Sequence, residues 1–276
     1  MDDDSQRTGR ALPGGGVGGA IRVGGTVHRP TGPWSPGVHL LLRHLEHRGL
    51  DGVPRAYGFD TRDGQRVEVL SYLDGDCPEA YDPWPAWAYS EDLVGQVAAW
   101  TRRFHDAVRD FRPDGLPWRS GVSDLAPDEI ICHHDIAPYN VIVHTPPGAT
   151  TAGRDGIRLA GVIDWDMAGP GRPVQDLAHL AWNFLSPAVE SMPPDAAVAA
   201  IAERLELVAE RYGDVEPVDL LTAIGPRMRR SARVIRAGAD AGDPGLGNLV
   251  RSGRLADLEQ KVRWWGSIEE RVRERL

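Results

Sequence analysis

Two short segments, HHDIAPYN at residues 133–140 and VIDWD at residues 162–166, decide how this chain folds. The first follows the pattern His-x-Asp-x-x-x-x-Asn, and the second places an aspartate at the end of an apolar strand. Phosphoryl transfer from a magnesium nucleotide to a hydroxyl needs one carboxylate to accept the hydroxyl proton. It also needs an amide oxygen and a second carboxylate to hold the metal ions. Asp135, Asn140 and Asp164 match these three requirements in chain order.

The flanks of the first segment strengthen this interpretation. Residues 130–132 (IIC) precede it and residues 141–143 (VIV) follow it, and both runs are typical of short buried strands. A polar loop between two apolar strands is where a rigid scaffold presents catalytic groups. Aspartate, asparagine and histidine are also common turn residues, so the pattern alone can arise by chance. The strands on both sides favour the catalytic interpretation.

These residues resemble the aminoglycoside phosphotransferase family, whose members share a bilobal fold with protein kinases. The similarity runs from about Leu12 to Trp182. It implies an α+β fold, bilobal and protein-kinase-like, with a small antiparallel-sheet amino-terminal lobe at residues 1–75. A mainly helical carboxy-terminal lobe at residues 76–276 is expected to hold the catalytic and acceptor-binding groups.

The resemblance also implies roles for individual residues. Asp135 becomes the catalytic base, and His133 a structural member of the catalytic loop. Asn140 and Asp164 become ligands of Mg²⁺, and we expect Asp166 to be a secondary metal ligand or a structural residue. A further acidic position, Asp176, supports the catalytic loop in the family. A carboxylate that caps a helix is an equally good interpretation of Asp176 from the sequence.

Residues 14–19 (GGGVGG) form a glycine-rich segment that formally matches Gly-x-Gly-x-x-Gly. A dinucleotide-binding loop would open a helix, but residues 20–29 read as two short strands around a glycine turn. A kinase-type loop over the nucleotide phosphates fits that context, with Gly16, Val17 and Gly18 as candidate contacts. A flexible linker is the alternative.

The nucleotide-binding lysine of a kinase-type lobe has no counterpart here, because the single lysine is Lys261. Arg29 at the end of the third predicted strand is the best substitute, although its forked guanidinium is not equivalent to an ammonium. The family's helix glutamate falls near Val38 or His39, neither of which is acidic. Both partners of the usual ion pair are therefore predicted to be missing. Either the chain grips its nucleotide through Arg29, or it has lost catalysis.

Ser71, Tyr72 and Leu73 follow the last predicted strand of the small lobe. In the kinase-like fold this stretch is the hinge that recognises the base of the nucleotide through backbone groups. Backbone recognition leaves little side-chain signature, so the sequence does not distinguish ATP from GTP.

Composition limits the remaining possibilities. The net charge of the 276-residue chain is −9, which argues against a general nucleic-acid binder and is compatible with a cationic substrate. No apolar run reaches the length of a membrane span, and no signal peptide is visible, so we expect no membrane partner. The two cysteines lie far apart in dissimilar settings, which favours a reducing cytoplasm.

The sequence gives the least information about the acceptor. Residues after 174 predict roughly four helices, which in this fold form one wall of the acceptor pocket. Glu190, Asp195 and Glu203 are candidates to meet a cationic sugar, or are solvated. The arginine-rich run at residues 227–236 indicates a solvated helix face rather than nucleic-acid binding. The sequence therefore predicts a kinase for a small hydroxyl-bearing acceptor. A catalytically silent immunity or sensor protein on the same fold is the alternative.

Overall fold

The structure is a computed structural model that describes residues 9–12, 19–78, 84–119, 121, 124–145 and 156–276. The candidate phosphate-loop residues Gly16, Val17 and Gly18 lie outside these ranges, and their role stays a prediction. Within these ranges, one five-stranded sheet and one helix lie before residue 72, and most of the helices come after it, in agreement with the α+β expectation.

The amino-terminal sheet has five antiparallel strands in the order β1-β2-β3-β5-β4. Their bounds are β1 Arg10–Ala11, β2 Ile21–Val23, β3 Thr26–Pro30, β4 Ala56–Arg62 and β5 Gln65–Ser71. The predicted hairpin around Gly24 is confirmed, since β2 pairs with β3 across it. The register of β3 against β5 sets Arg29 opposite Glu68, and this pairing shapes the site described below.

Helix α1, Ser35–His47, packs through an apolar stripe of buried side chains. They are Val38, Leu41, Leu42 and Leu45. Ser35 is the first residue of the helix, and Trp34 takes the cap position. The Ser35 hydroxyl accepts a hydrogen bond from the Gly32 amide, at 3.0 Å. The helix ends before Gly49, whose φ of +71° suits glycine.

Helix α2, Glu91–Ala107, is capped by Ser90, whose hydroxyl accepts a hydrogen bond from the Leu93 amide at 3.3 Å. Two small antiparallel pairs follow. Strand β6, Ile130–Cys132, pairs with β9, Gly169–Gly171, and strand β7, Val141–His144, pairs with β8, Arg158–Val162.

Five helices complete the chain where roughly four were predicted: α3 Pro173–Asn183, α4 Pro194–Tyr212, α5 Pro217–Asp240, α6 Pro244–Arg251 and α7 Arg254–Arg275. The extra helix arises because Asp243 caps α6 inside the predicted glycine-rich break, accepting hydrogen bonds from two α6 amides. Gly253, at φ +82°, then separates α6 from α7. The boundary between lobes near residue 75 stays a prediction.

None of the helices in the described ranges is both long and apolar enough to span a lipid bilayer.

Candidate active site

The catalytic loop is fixed by a fully buried carboxylate from α3. Asp176 accepts hydrogen bonds from the backbone amides of His133 at 2.8 Å and His134 at 2.6 Å, and lies 3.2 Å from Nε2 of His105. Burial alone would raise the pKa of Asp176, but the His105 hydrogen bond and the neighbouring histidines outweigh it and hold the pKa well below its usual range. These bonds favour loop support over helix capping as the role of Asp176.

Two residues of the site adopt left-handed backbone conformations that residues other than glycine rarely take. His134 has a φ of +64° and Asp164 a φ of +61°. Conformations of this kind persist where the surrounding structure enforces them, and they cluster at functional sites. Asp176 fixes the backbone at His134 through a hydrogen bond. Asp164 lies two residues after the end of strand β8.

Asp135 lies at the centre of a small hydrogen-bond network. Its Oδ1 accepts from the Tyr139 hydroxyl at 2.9 Å and contacts His179 Nε2 at 3.2 Å, while its Oδ2 accepts from Asn140 Nδ2 at 2.9 Å. Burial would raise the pKa of Asp135, but the His179 hydrogen bond and nearby charges lower it. The carboxylate is therefore ionised at neutral pH and held in one orientation.

His133 is fully buried, and both of its ring nitrogens are occupied by the backbone. Nδ1 accepts from the Asp135 amide at 3.2 Å, and Nε2 donates to the Ile163 carbonyl at 3.1 Å. Burial lowers the pKa of His133, so the ring is neutral. This geometry suits the structural role predicted for His133, because no ring nitrogen remains to carry a proton to substrate.

Strands β7 and β8 bring Asn140 and Asp164 together. Val141 pairs with Val162, and the Ile163 amide donates to the Asn140 carbonyl at 2.9 Å. The Asn140 side-chain nitrogen is bonded to Asp135, which leaves its amide oxygen as the ligand atom. Asp164 remains 39% exposed. An amide oxygen and a carboxylate are the hard oxygen ligands that Mg²⁺ prefers, so the donor set fits that metal.

Arg29 binds three carboxylates at once. Its Nε lies 2.7 Å from Glu68, its Nη1 2.8 Å from Asp164 and its Nη2 2.5 Å from Asp166. Burial opposes the charge on Arg29, but Asp166, Asp164 and Glu68 together raise its pKa. The guanidinium therefore links the amino-terminal sheet to both candidate metal ligands of the second segment.

Glu68 on strand β5 supplies Arg29 with an acidic partner that the sequence analysis did not identify. This carboxylate is 1% exposed, and its second oxygen lies 2.8 Å from His39 Nε2 on α1. The His39 ring stacks on Phe59 at 4.3 Å. The helix thus supports the cation indirectly, through a histidine, and the carboxylate comes from strand β5. The sequence does not reveal the register that sets Glu68 opposite Arg29, so this partner was missed.

Asp166 was expected to be a secondary metal ligand or a structural residue, and its role as a metal ligand stays a prediction. The backbone before it is not extended, because Asp164 has a left-handed conformation and Trp165–Met167 form a short 3₁₀ turn. The turn buries Trp165 and directs Asp166 to Arg29. Burial is the main cause that raises the pKa of Asp166 to about 6. Arg119, which the sequence did not single out, lies 3.6 Å from Asp166.

The predicted hinge residues Ser71, Tyr72 and Leu73 line the same cavity, of about 1170 Å³, as Asp135 and Asp164. The Tyr72 amide already donates to the Gly25 carbonyl at 2.9 Å. The structure therefore brings the predicted hinge, metal and base residues to one cleft.

Residues of the carboxy-terminal helices complete this cavity, and the prediction for one of them was wrong. Arg227 was assigned to a solvated face but is only 8% exposed and lines the cavity. Glu190 also lines it and pairs with Lys261 at 3.5 Å. Asp195 is 96% exposed, and Glu203 is exposed as well; neither lines the cavity. Burial of one arginine within a basic run leaves no sequence signature.

Comparisons with known proteins agree with this architecture. A model of the phosphotransferase enzyme family matches residues 118–212, which include the catalytic loop, α3 and α4. The GDP complex of wild-type aminoglycoside 2'-phosphotransferase-IIIa superposes with a TM-score of 0.55 at 14% identity, covering 98% of this chain and 95% of that chain. The resemblance to the aminoglycoside phosphotransferase family is confirmed. So is the protein-kinase-like fold.

One relative is named as an immunity protein and not as a phosphotransferase. The trifolitoxin immunity protein of Rhizobium leguminosarum bv. trifolii is 37% identical over 176 residues, covering 62% of this chain. The chain aligns with 60% of that relative's length.

Proposed function

We propose that this protein is a small-molecule kinase that transfers the γ-phosphate of ATP or GTP, with Mg²⁺, to a hydroxyl of a small acceptor. The observation that carries the proposal is the convergence of Asp135, Asn140 and Asp164 on the cavity that Arg29 and the predicted hinge also line. The family match over the catalytic loop supports the same chemistry.

In the proposed reaction the acceptor oxygen forms a bond to the γ-phosphorus, and the bond from that phosphorus to the β,γ-bridging oxygen breaks. The hydroxyl proton passes to the Asp135 carboxylate, and a nucleoside diphosphate leaves. Asp135 is ionised and fixed by Tyr139 and His179, so it orients the hydroxyl as well as accepting its proton. Since its pKa is lowered, Asp135 contributes more by positioning than by strong basicity.

Two groups of residues would handle the nucleotide. Asn140 and Asp164 would hold Mg²⁺, which would supply positive charge to offset the charge of the phosphates. Arg29 supplies a fixed positive charge on the sheet side of the cleft, positioned by Glu68 and His39. Gly16, Val17 and Gly18 would cover the phosphates, and Asp166 would be an additional metal ligand or a partner of Arg29.

The alternative is a catalytically silent immunity protein, which the name of the curated relative favours. A measurement of nucleotide turnover distinguishes the kinase from the silent protein. We expect nucleoside diphosphate release that depends on Mg²⁺, slow with water and faster with an acceptor. Asp135→Asn should reduce it by a factor of about 10²–10⁴, the usual contribution of a general base.

Asp240→Asn, an exposed residue at the end of α5, is the charge-matched control and should release diphosphate at the wild-type rate. Release that is equal in the wild type and Asp135→Asn would reject the assignment of Asp135. Binding of Mg-nucleotide without any release would favour the silent protein.

A further inference from the structure

The acceptor side of the cavity, formed by α3, α5, α6, α7 and the segment Pro187–Ser191, carries surplus positive charge. Its charged side chains are the cations Arg227, Arg230, Arg254 and Lys261 and the carboxylates Glu190 and Asp257. Glu190 lies 3.5 Å from Lys261, so this pair neutralises itself. The uncompensated charge therefore lies on the arginines.

Arg227 is the most informative of them because it is buried. It is 8% exposed, and it donates hydrogen bonds to the His134 carbonyl and the Ser231 hydroxyl, both neutral acceptors. Its Nε is buried without a hydrogen-bond partner among the described residues. Within the same residues, no carboxylate forms an ion pair with Arg227. Burial lowers the pKa of Arg227 more than the charges of Asp176 and Asp135 raise it, so an anion bound beside the guanidinium would offset part of the cost of burial.

Arg230 lies nearly one turn further along α5 and lines the same cavity. It is partly buried, and none of the ion pairs in the described part of the chain involves it. Two guanidiniums that lack carboxylate partners thus face one cavity from one helix.

The arginines are placed beside the proposed catalytic base. Arg227 donates to the carbonyl of His134, the residue directly before Asp135. His179, which contacts Asp135 at 3.2 Å, lines the same part of the cavity. An anionic group held by Arg227 and Arg230 would therefore lie near the hydroxyl that Asp135 orients.

We infer that the acceptor is a hydroxyl compound that also carries an oxyanion, a carboxylate or a phosphate, bound by Arg227 and Arg230. The inference rests on the proposed function and narrows its substrate class. It departs from the cationic substrate that the net charge of −9 suggested, because those negative charges do not collect on this wall.

The test is a calorimetric titration of four six-carbon probes that differ mainly in charge: glucose, glucosamine, glucuronate and glucose 6-phosphate. We expect at least one anionic probe to bind about tenfold more tightly than glucose or better, which corresponds to about 1.4 kcal/mol. Arg230→Gln should remove this preference. Arg233→Gln, an exposed arginine of the same helix that does not line the cavity, should preserve it.

The two anionic probes distinguish a carboxylate from a phosphate as the recognised group. Equal affinity of all four probes, tighter binding of glucosamine, no binding of either anion, or a preference that survives Arg230→Gln would each overturn the inference.

These titrations contain no nucleotide, so they fail independently of the proposed function. Anion binding in a protein that does not bind Mg-nucleotide would leave the anion site standing and remove the kinase. Nucleotide turnover without an anion preference would support the kinase and reject the anion site.

Discussion

Arg29 is the residue on which the nucleotide side of the site depends. A buried ion pair that loses one partner leaves an uncompensated charge, typically at a cost of about 3–5 kcal/mol. We expect Arg29→Met to lower the free energy of unfolding by about 3 kcal/mol, because Glu68 is 1% exposed and keeps only His39 as a partner. Urea denaturation at neutral pH measures this.

The double variant Arg29→Met with Glu68→Gln is the control for that prediction. Removing both charges should cost clearly less than the sum of the two single changes, since neither partner is then buried alone. Strict additivity would mean that the contact between Arg29 and Glu68 contributes nothing to stability.

His134 predicts a pH dependence of stability. Burial is the main cause that lowers its pKa from 6.5 to about 4. The unfolded chain therefore takes up a proton as pH falls through 6.5, while the folded protein resists until about pH 4. Folding loses stability across that window, by about 3 kcal/mol from this residue, and no more below it.

His134→Asn isolates this contribution, because asparagine tolerates the left-handed backbone at this position. The fall in unfolding free energy from pH 6.5 to 4 should be shallower in the variant. His133 and His179, whose pKa values burial also lowers, keep some acid sensitivity in the variant. Asp166, whose pKa is raised to about 6, acts in the opposite direction in both proteins. An unchanged pH profile would contradict the assignment.

At the scale of elements, strand β8 and the loop after α1 are in unusually close contact. The Val162 amide donates to the Gly52 carbonyl at 2.8 Å. A Cβ atom added at Gly161 would lie 2.5 Å from the Gly52 carbonyl oxygen and 2.8 Å from the Leu73 side chain. Glycine at 161 therefore allows the strand that delivers Asp164 to pack against the loop.

Gly161→Ala should accordingly destabilise the protein, by about 1–3 kcal/mol for overpacking against backbone that cannot move freely. Gly266→Ala is the matched control, since a Cβ there meets nothing within 4 Å in the exposed part of α7. That change should stabilise by up to about 1 kcal/mol through helix propensity. Differential scanning calorimetry compares the two. A Gly161→Ala variant as stable as the wild type would show that the loop can shift.

The elements and the central site residues were predictable because they depend on local patterns. Apolar runs such as residues 141–143 identify strands, and the His-x-Asp-x-x-x-x-Asn motif identifies the loop between them. Glu68 and His39 were missed because their roles arise only when β3, β5 and α1 pack together. Burial of Arg227 was missed for the same reason: helical spacing gives the face of a helix, but not what covers it.

In the whole molecule, the sheet and the helices line one shared cavity. Arg29 crosses from β3 to Asp164 and Asp166 in the second segment. Arg119 lies 3.6 Å from Asp166 and 2.8 Å from Asp243, the cap of α6. Charged contacts thus connect the nucleotide side to the helices of the acceptor side. Asp243 also accepts hydrogen bonds from two backbone amides of α6, which explains why the helix begins at this position.

The central claim is that Asp164 and its neighbours bind a magnesium nucleotide, and the melting temperature tests it most directly. Ligand at about a hundred times its dissociation constant adds roughly 2.7 kcal/mol, which raises the melting temperature of a protein this size by several degrees. We predict this shift with Mg²⁺ plus ATP or GTP in the wild type and in Asp240→Asn, and its loss in Asp164→Asn. The absence of a shift with either nucleotide, or an equal shift in Asp164→Asn, would contradict the account.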